Sequence, residues 1–506
     1  MLLPMLGIII SVLLLITLAY RGWNIAIAAP LCAFVAMIFS GAPLIAGYTE
    51  IFMPALGNFA ANYFPIFLTG AIFGRLMTIT GYAERIAQVL TRWLGSRFAI
   101  LATVLSTAIL TYGGVSSFVV VFAAYPLARE LFRQAQIPRR LIPASLMLGL
   151  ATFTMSAIPG TPQVQNIIPS QFFGTTTFAA PLLGLIGGAL IFGLGMLWLE
   201  FRVRSLRAKG ELFELIETKK VVVKETVGAT VTSGNAGTTT PGGAASEPTG
   251  SSADASENEE MDEYEAETGS KFQNLVPKNS WLPFLPLVAV IVMNYLAVNF
   301  IIPAMDTSYL GTPQYRNRTL SQVQSTWAVL IAMMTAILLI LAINFKHIKK
   351  LASGFAEGVR NSTLPLINTG SEVGYGAVIA SLAVFTAFQN GIFDLIPNAL
   401  VSSVVLTAAI AGITASATGG VTIALNTFGE RLVHMANEQG ISLEVMHRLT
   451  AMAAGSFDTL PHNGAVIVVL LVTGLTHRQA YKDIAMVTVV VPLAVVALLV
   501  PIALAM

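Results

Sequence analysis

Two carboxylates stand where water is scarce. Glu372, in Asn368-Thr369-Gly370-Ser371-Glu372, and Asp458, in Asp458-Thr459-Leu460-Pro461-His462-Asn463-Gly464, both interrupt long apolar stretches. An ionised side chain inside a membrane span is costly, so each is a functional candidate, and the chemistry that suits such an acid is carriage of a proton. Glu372 and Asp458 are therefore the expected proton-coupling pair. His462 adds an imidazole able to change charge near neutral pH or to bond the backbone at the nearby proline. Uncharged hydrogen-bonding groups gather at the same places. Ser116 and Ser117 follow Gly113-Gly114; Thr161, Gln163 and Asn166 surround Pro159-Gly160-Thr161-Pro162; Thr418 precedes Gly419-Gly420; Thr459, His462 and Asn463 surround Pro461. Hydroxyls and amides can coordinate the oxygens of a polyol or hydroxy acid, and these nine residues form the expected substrate-binding set. Arg75 lies near the cytoplasmic end of its apolar segment and is expected to snorkel to the surface.

The elements that hold these groups are read from the prolines and the charge. Proline removes a backbone donor and blocks the preceding turn, so a helix must unwind at Pro159-Gly160-Thr161-Pro162 and at Pro461. Unwound backbone at membrane depth is tolerated where it lines a cavity or is buried in protein. Each break also exposes a half-helix N-terminus suited to an anion. The 506 residues are 55% hydrophobic and only 11% Asp, Glu, Lys or Arg, against about 25% charged residues in soluble domains. Apolar runs of about 20 residues recur along the chain, the length a bilayer core requires, and their continuity excludes a β-barrel. The first run has no basic residue before it and is expected to remain as an uncleaved helix.

Residues 201–280 divide two membrane halves, 1–200 and 281–506, and are expected to form a cytoplasmic linker, largely disordered between residues 228 and 270. Nine acidic residues lie within 247–267. The rest of the chain then holds 28 basic residues against 17 acidic ones, an excess of eleven. That excess belongs to loops facing an anionic inner leaflet, not to nucleic-acid binding. Basic loops at 81–97, 129–140 and 346–360 read as cytoplasmic, and residues 41–63 and 387–398, with no Lys or Arg, read as external. Arg316 and Arg318 break the rule, because their loop falls outside. The single cysteine, Cys32, permits no internal disulfide and no paired-cysteine metal site. No nucleotide fingerprint accompanies it, so no cofactor is expected and the coupling ion is a proton or sodium.

Three anchors recur in order in the two halves. Thr69-Gly70 with Gly74 matches Thr369-Gly370 with Gly374; Gly113-Gly114-Val115 matches Gly419-Gly420-Val421; the stretch ending in Ile158-Pro159-Gly160 matches the one ending in Leu460-Pro461-His462. The charge rule sends the helix of Thr69-Gly70 inward and that of Thr369-Gly370 outward, so the repeats are inverted. The expected fold is an all-α polytopic membrane protein of two inverted-topology repeats with broken helices and re-entrant hairpins. It should have about ten full crossings plus two hairpin regions, from roughly 12 to 14 apolar segments. Such repeats are the signature of a secondary transporter with its site near the midplane.

Thr111-Tyr112-Gly113-Gly114-Val115-Ser116-Ser117-Phe118-Val119-Val120, Ile158-Pro159-Gly160-Thr161-Pro162 and Asp458-Thr459-Leu460-Pro461-His462-Asn463-Gly464-Ala465 resemble the gluconate permease (Gnt) family of the ion transporter superfamily. The resemblance spans the chain outside 201–280. It implies proton-coupled uptake of a small organic anion, such as gluconate, D-serine or 3-hydroxybutyrate, across a bacterial inner membrane. Sugar-acid members carry a Ser-His-Val-Asn-Asp-like stretch where this chain has Leu460-Pro461-His462-Asn463-Gly464, a departure that favours a smaller acid of the 3-hydroxybutyrate permease type. The expected function is proton symport of a hydroxy-monocarboxylate by a non-enzymatic permease, with the bilayer and the anion as partners and homo-oligomerisation left open. A sodium-coupled di- or tricarboxylate carrier is the alternative, and an intramembrane enzyme using Asp458 and His462 is a distant one.

Overall fold

The computed structural model describes residues 2–21, 23–115, 117–213, 281–414, 416–461 and 463–505. The expected linker from residue 214 onward, with its acidic run, lies outside these residues. Among the described residues the chain is helical and contains no strand. In the first half, α1 (Leu2–Tyr20) and α2 (Ile25–Ser40) precede α3 (Leu44–Ile79), a 36-residue helix with a π-helical turn at Gly47–Phe52. Then follow α4 (Tyr82–Leu94), α5 (Ala99–Tyr112), α6 (Ser117–Gln134), α7 (Ile142–Leu150), the short α8 (Phe153–Ser156), α9 (Val164–Phe173) and α10 (Pro181–Ala208). In the second half, α11 (Phe284–Ile301) and α12 (Leu320–Ile343) precede α13 (Ile348–Ser381). Then come α14 (Ala383–Leu395), α15 (Ala399–Thr414), α16 (Ala417–Glu438), α17 (Leu443–Ser456), α18 (Gly464–Thr473) and α19 (His477–Leu504).

From α3 and from α13 onward the two halves repeat in order, apart from the short α8, which has no separate counterpart among the described residues of the second half. The amphipathic α4 and α14 have 13 residues each, α9 and α18 have 10 each, and α10 and α19 have 28 each. Both ten-residue helices end on a left-handed glycine, Gly174 (φ 62°) and Gly474 (φ 61°). This αL cap releases the chain from the helix at no side-chain cost. The repeat-related helices α3 and α13 pack closely and run antiparallel. Gly358 abuts Ile72, and Gly374, further along α13, abuts Phe52, further back along α3. Small residues let two helix backbones approach where lipid offers no competing hydrophobic drive. The inversion inferred from loop charge is thus visible as residue pairing.

Five helices among the described residues are long and apolar enough to cross a membrane: α3, α10, α11, α12 and α19. Helices α4 and α5, with the turn at Ser96–Phe98, pass the same test as one broken span bent by 104°. Other apolar helices are shorter, and two of them, α15 and α18, are parts of interrupted segments.

Several expected boundaries change. The segment read as external loop, 41–63, is mostly helix, since Glu50, Asn58 and Asn62 dilute the apolar signal on what is the first half of α3. Helix α13 begins at Ile348, well before the apolar run, because Lys349, Lys350, Glu357 and Arg360 mask its first turns. The loop at 81–97 contains α4, and the external 387–398 stretch contains the end of α14. The second anchor is out of register. Gly113-Gly114 occupies the break between α5 and α6, whereas Gly419-Gly420 lies in the first turn of α16, after its break. The two glycine pairs have different tasks: Gly114 adopts φ +89°, while Gly420 lies against the backbone of Ala411 in α15.

Candidate functional site

Within each half the two breaks meet. In the first half Tyr112 donates its hydroxyl to the carbonyl of Pro159 (2.7 Å), and Gln163 Nε2 donates to the carbonyl of Thr111 (2.9 Å). The 113–116 and 157–163 interruptions are therefore tied together, and Ser117 starts α6 beside them, half-buried. Thr161 is fully buried and, among the described residues, its Oγ1 has no hydrogen-bond partner, as is true of Thr111 Oγ1 and Gln165 Oε1. An unmade hydrogen bond in a buried site is expensive, so these groups are poised to meet a ligand or water.

Asn166 differs. Its Nδ2 donates to the carbonyls of Thr161 (3.0 Å) and Thr177 (2.9 Å), and its Oδ1 accepts from Arg448 Nη1 (2.8 Å) and lies 3.3 Å from His447 Nε2. The Asn166 amide is engaged within the protein on both ends.

The carboxylates converge on one place. Ser416 caps α16, its Oγ accepting from Gly419 N at 3.0 Å. Asp458, from the 457–463 break, accepts the Ala417 amide with Oδ1 at 2.7 Å. Glu372, in the C-terminal half of α13, is 5% exposed, and a Cβ on Gly419 would overlap its Oε2. Glu372 and Asp458 thus share the N-terminus of α16, where free amides and the helix dipole favour negative charge. The Ser416 side chain lies beside the Glu372 carboxylate, whose Oε2 has no well-aligned hydrogen bond among the described residues, and among those residues no basic side chain forms an ion pair with either carboxylate.

Thr418 is the second residue of the same helix and half-buried. Asn463 caps α18 by accepting from Val466 N (3.0 Å), and its Nδ2 donates to Asp458 Oδ1 (3.4 Å). Thr459 is buried and donates to Thr488 Oγ1 at 2.5 Å, while its carbonyl accepts from Tyr481 (3.2 Å). Ser116 and His462 lie outside the described residues.

Three cationic groups reshape the picture. Arg75 does not snorkel. It is buried and forms an ion pair with Glu357 of α13. Arg202 of α10 pairs with the fully buried Asp483 of α19, Nε to Oδ1 at 2.6 Å, and Trp198 Nε1 adds a bond of 3.2 Å to the same oxygen. Sequence reasoning passed over Arg448, which is completely buried in α17. Its guanidinium bonds the carbonyls of Ser156, Thr177 and Ala179 and the side chain of Asn166. A second-half arginine thereby supplies the donors that the unwound first-half backbone needs. The signal was an arginine within the apolar 443–475 segment, where any ionisable residue demands a reason.

Between the repeats lies a cavity of about 430 Å³, walled by α3, α9, α13 and α16. Its polar lining, among the described residues, is uncharged and includes Asn58, Asn62, Tyr63, Gln171, Thr422 and Asn426. Val373, the neighbour of Glu372, also lines it.

Antiparallel repeats whose broken helices meet beside buried acids, with a polar cavity between the repeats, define a polytopic membrane transporter. Comparison with known proteins agrees. The chain is 37% identical over 498 residues to the Bacillus subtilis (strain 168) uncharacterized transporter YxjC, covering 97% of each chain, and it belongs to that transporter family. An uncharacterized transporter of Haemophilus influenzae is 28% identical over 163 residues, which span 31% of this chain and 35% of that protein. No family model matches the chain.

Proposed function

We propose that the protein is a secondary active transporter that imports a small hydroxy-monocarboxylate, of the 3-hydroxybutyrate or gluconate kind, by proton symport across a bacterial inner membrane. The observation that carries this reading is the meeting of Glu372 and Asp458 at the first turn of α16, with no basic side chain paired to either among the described residues. Two acids on one helix end, away from basic partners, are stabilised when a proton neutralises one of them. A substrate anion approaching the adjoining breaks adds to the local negative charge and favours that proton. Proton and anion therefore bind together and leave together. The buried hydroxyls of Thr111 and Thr161 and the caps at Ser416 and Asn463 supply groups for the substrate oxygens. Alternating access follows from rocking of one repeat against the other around these breaks.

One proton carried with one monovalent anion moves no net charge, so the pH gradient alone drives the cycle. Each additional cation would add about 2.3 kcal/mol per 100 mV of membrane potential. The test is uptake into proteoliposomes of labelled 3-hydroxybutyrate, gluconate, D-serine and citrate, under an imposed pH gradient without sodium. The expected result is accumulation of a hydroxy-monocarboxylate, abolished by a protonophore. Accumulation of citrate driven by a sodium gradient alone would overturn both the proton and the substrate assignments.

A further inference from the structure

Arg318 sits where the charge rule forbids it. Its loop, between α11 and α12, joins segments whose order places it on the external side, yet it carries two arginines. The loop is built to hold one of them in place. Arg316 and Asn317 adopt left-handed backbone, φ 63° and 49°, a conformation uncommon for residues with a side chain. Arg318 then returns its amide to the carbonyl of Leu310 (3.0 Å), and Thr319 caps α12 with Gln322. The outcome is that Arg318 Nη2 donates to Asn62 Oδ1 at 3.0 Å. Asn62 is a wall residue of the inter-repeat cavity. Its side-chain oxygen accepts from the arginine.

The cavity is suited to a small oxygen-rich solute. At about 430 Å³ it falls within the usual size of a small-molecule site. Asn58, Asn62, Gln171 and Asn426 offer amides, and Tyr63 and Thr422 offer hydroxyls. Among the described residues its lining contains no acidic side chain to repel an anion. Both repeats contribute, α3 and α9 from the first and α13 and α16 from the second. Its walls use the N-terminal half of α3 and the C-terminal part of α13, the ends that loop charge assigns to the outside.

We propose that this cavity is the outward-facing carboxylate-binding vestibule, with Arg318 at its rim as the anion-recognising residue. The proposal deepens the symport reading, on which the identity of the cargo rests. Arg318 attracts the carboxylate, the amides hold the hydroxyl groups, and the inner wall at Val373 and Thr422 leads to Glu372 and the start of α16.

The test does not require the cargo to be known. The only cysteine, Cys32, is buried, so the thiol introduced by Asn426→Cys is the reactive one, with the parent chain as blank. The protein in proteoliposomes is treated from outside with anionic sulfonatoethyl methanethiosulfonate or its cationic trimethylammonium counterpart. In the presence of Arg318 the anionic reagent is favoured. Arg318→Gln should lower the anionic-to-cationic rate ratio on the order of a few-fold, the size of a unit-charge attraction acting across a few ångströms to a nanometre of water, and Arg318→Lys should restore most of it. Arg316→Gln, whose side chain is exposed, should leave the ratio unchanged. Millimolar 3-hydroxybutyrate or gluconate should slow labelling. An unchanged ratio in Arg318→Gln, or an introduced thiol inert to both reagents, would overturn the proposal. A ratio that falls as expected, with none of the acids transported, would leave the vestibule standing and remove the symport reading.

Discussion

Glu372 and Asp458 have similar surroundings but unequal duties. Asp458 commits one oxygen to a defined task, accepting the Ala417 amide, and an asparagine there keeps an oxygen to do the same. Glu372 holds no backbone amide among the described residues, and only the Ser416 side chain lies beside its carboxylate. The charge and the proton are thus separable from the cap. Glu372→Gln should reduce pH-driven accumulation in proteoliposomes on the order of tenfold or more, while exchange of labelled for unlabelled substrate, which needs no net proton movement, continues. Asp458→Asn should impair accumulation less. Loss of exchange together with accumulation in Glu372→Gln would make Glu372 a structural or substrate-contacting group instead of a proton carrier. Both acids were legible from residue type and apolar context. Their meeting was not, because 86 residues of chain separate them and neither spacing nor periodicity reports a contact across helices.

At the scale of elements, the first turn of α16 concentrates the constraints. Its two glycines are there for space. A methyl on Gly419 would overlap the Glu372 carboxylate, and one on Gly420 would overlap the backbone of Ala411. A flexible side chain can swing away; a neighbouring helix backbone cannot. Gly419→Ala should therefore preserve folding and cut transport, because it displaces the carboxylate. Gly420→Ala should lower stability by about 1–3 kcal/mol through overpacking of α15 on α16. Thermal melts in detergent alongside uptake will separate the two effects, and equal melting losses would contradict this division. The sequence presented Gly113-Gly114 and Gly419-Gly420 as counterparts. The structure shows the first pair forming a break between helices and the second lying inside a helix, against Glu372 and Ala411, since composition records that a glycine is present and not what approaches it.

At the scale of the whole molecule, Arg448 links the two halves by bonding three carbonyls and Asn166 around the first-half break. Arg448→Met would leave the Ser156 and Ala179 carbonyls short of the donors they have in a buried site, a loss of about 3–5 kcal/mol by analogy with broken buried charge networks. Arg448→Lys should also destabilise, because a lysine offers a point charge and not a five-donor planar fork. A fall in melting temperature for both variants, larger for Met, is expected. A melting temperature within about 2 °C of the parent for Arg448→Met would dismiss the arginine as a staple. By itself the sequence determined the bilayer-spanning helical class, the two halves, their opposed orientation and the places where helices must break. Those properties follow from local causes: transfer cost of side chains, proline sterics and the sign of loop charge. Only the tertiary structure decided which breaks touch, that Arg75 pairs with Glu357 instead of reaching the surface, and that both acids share one helix end. These depend on the packing of helices tens to hundreds of residues apart, set by shape and close approach, for which a linear pattern of apolar residues carries no record.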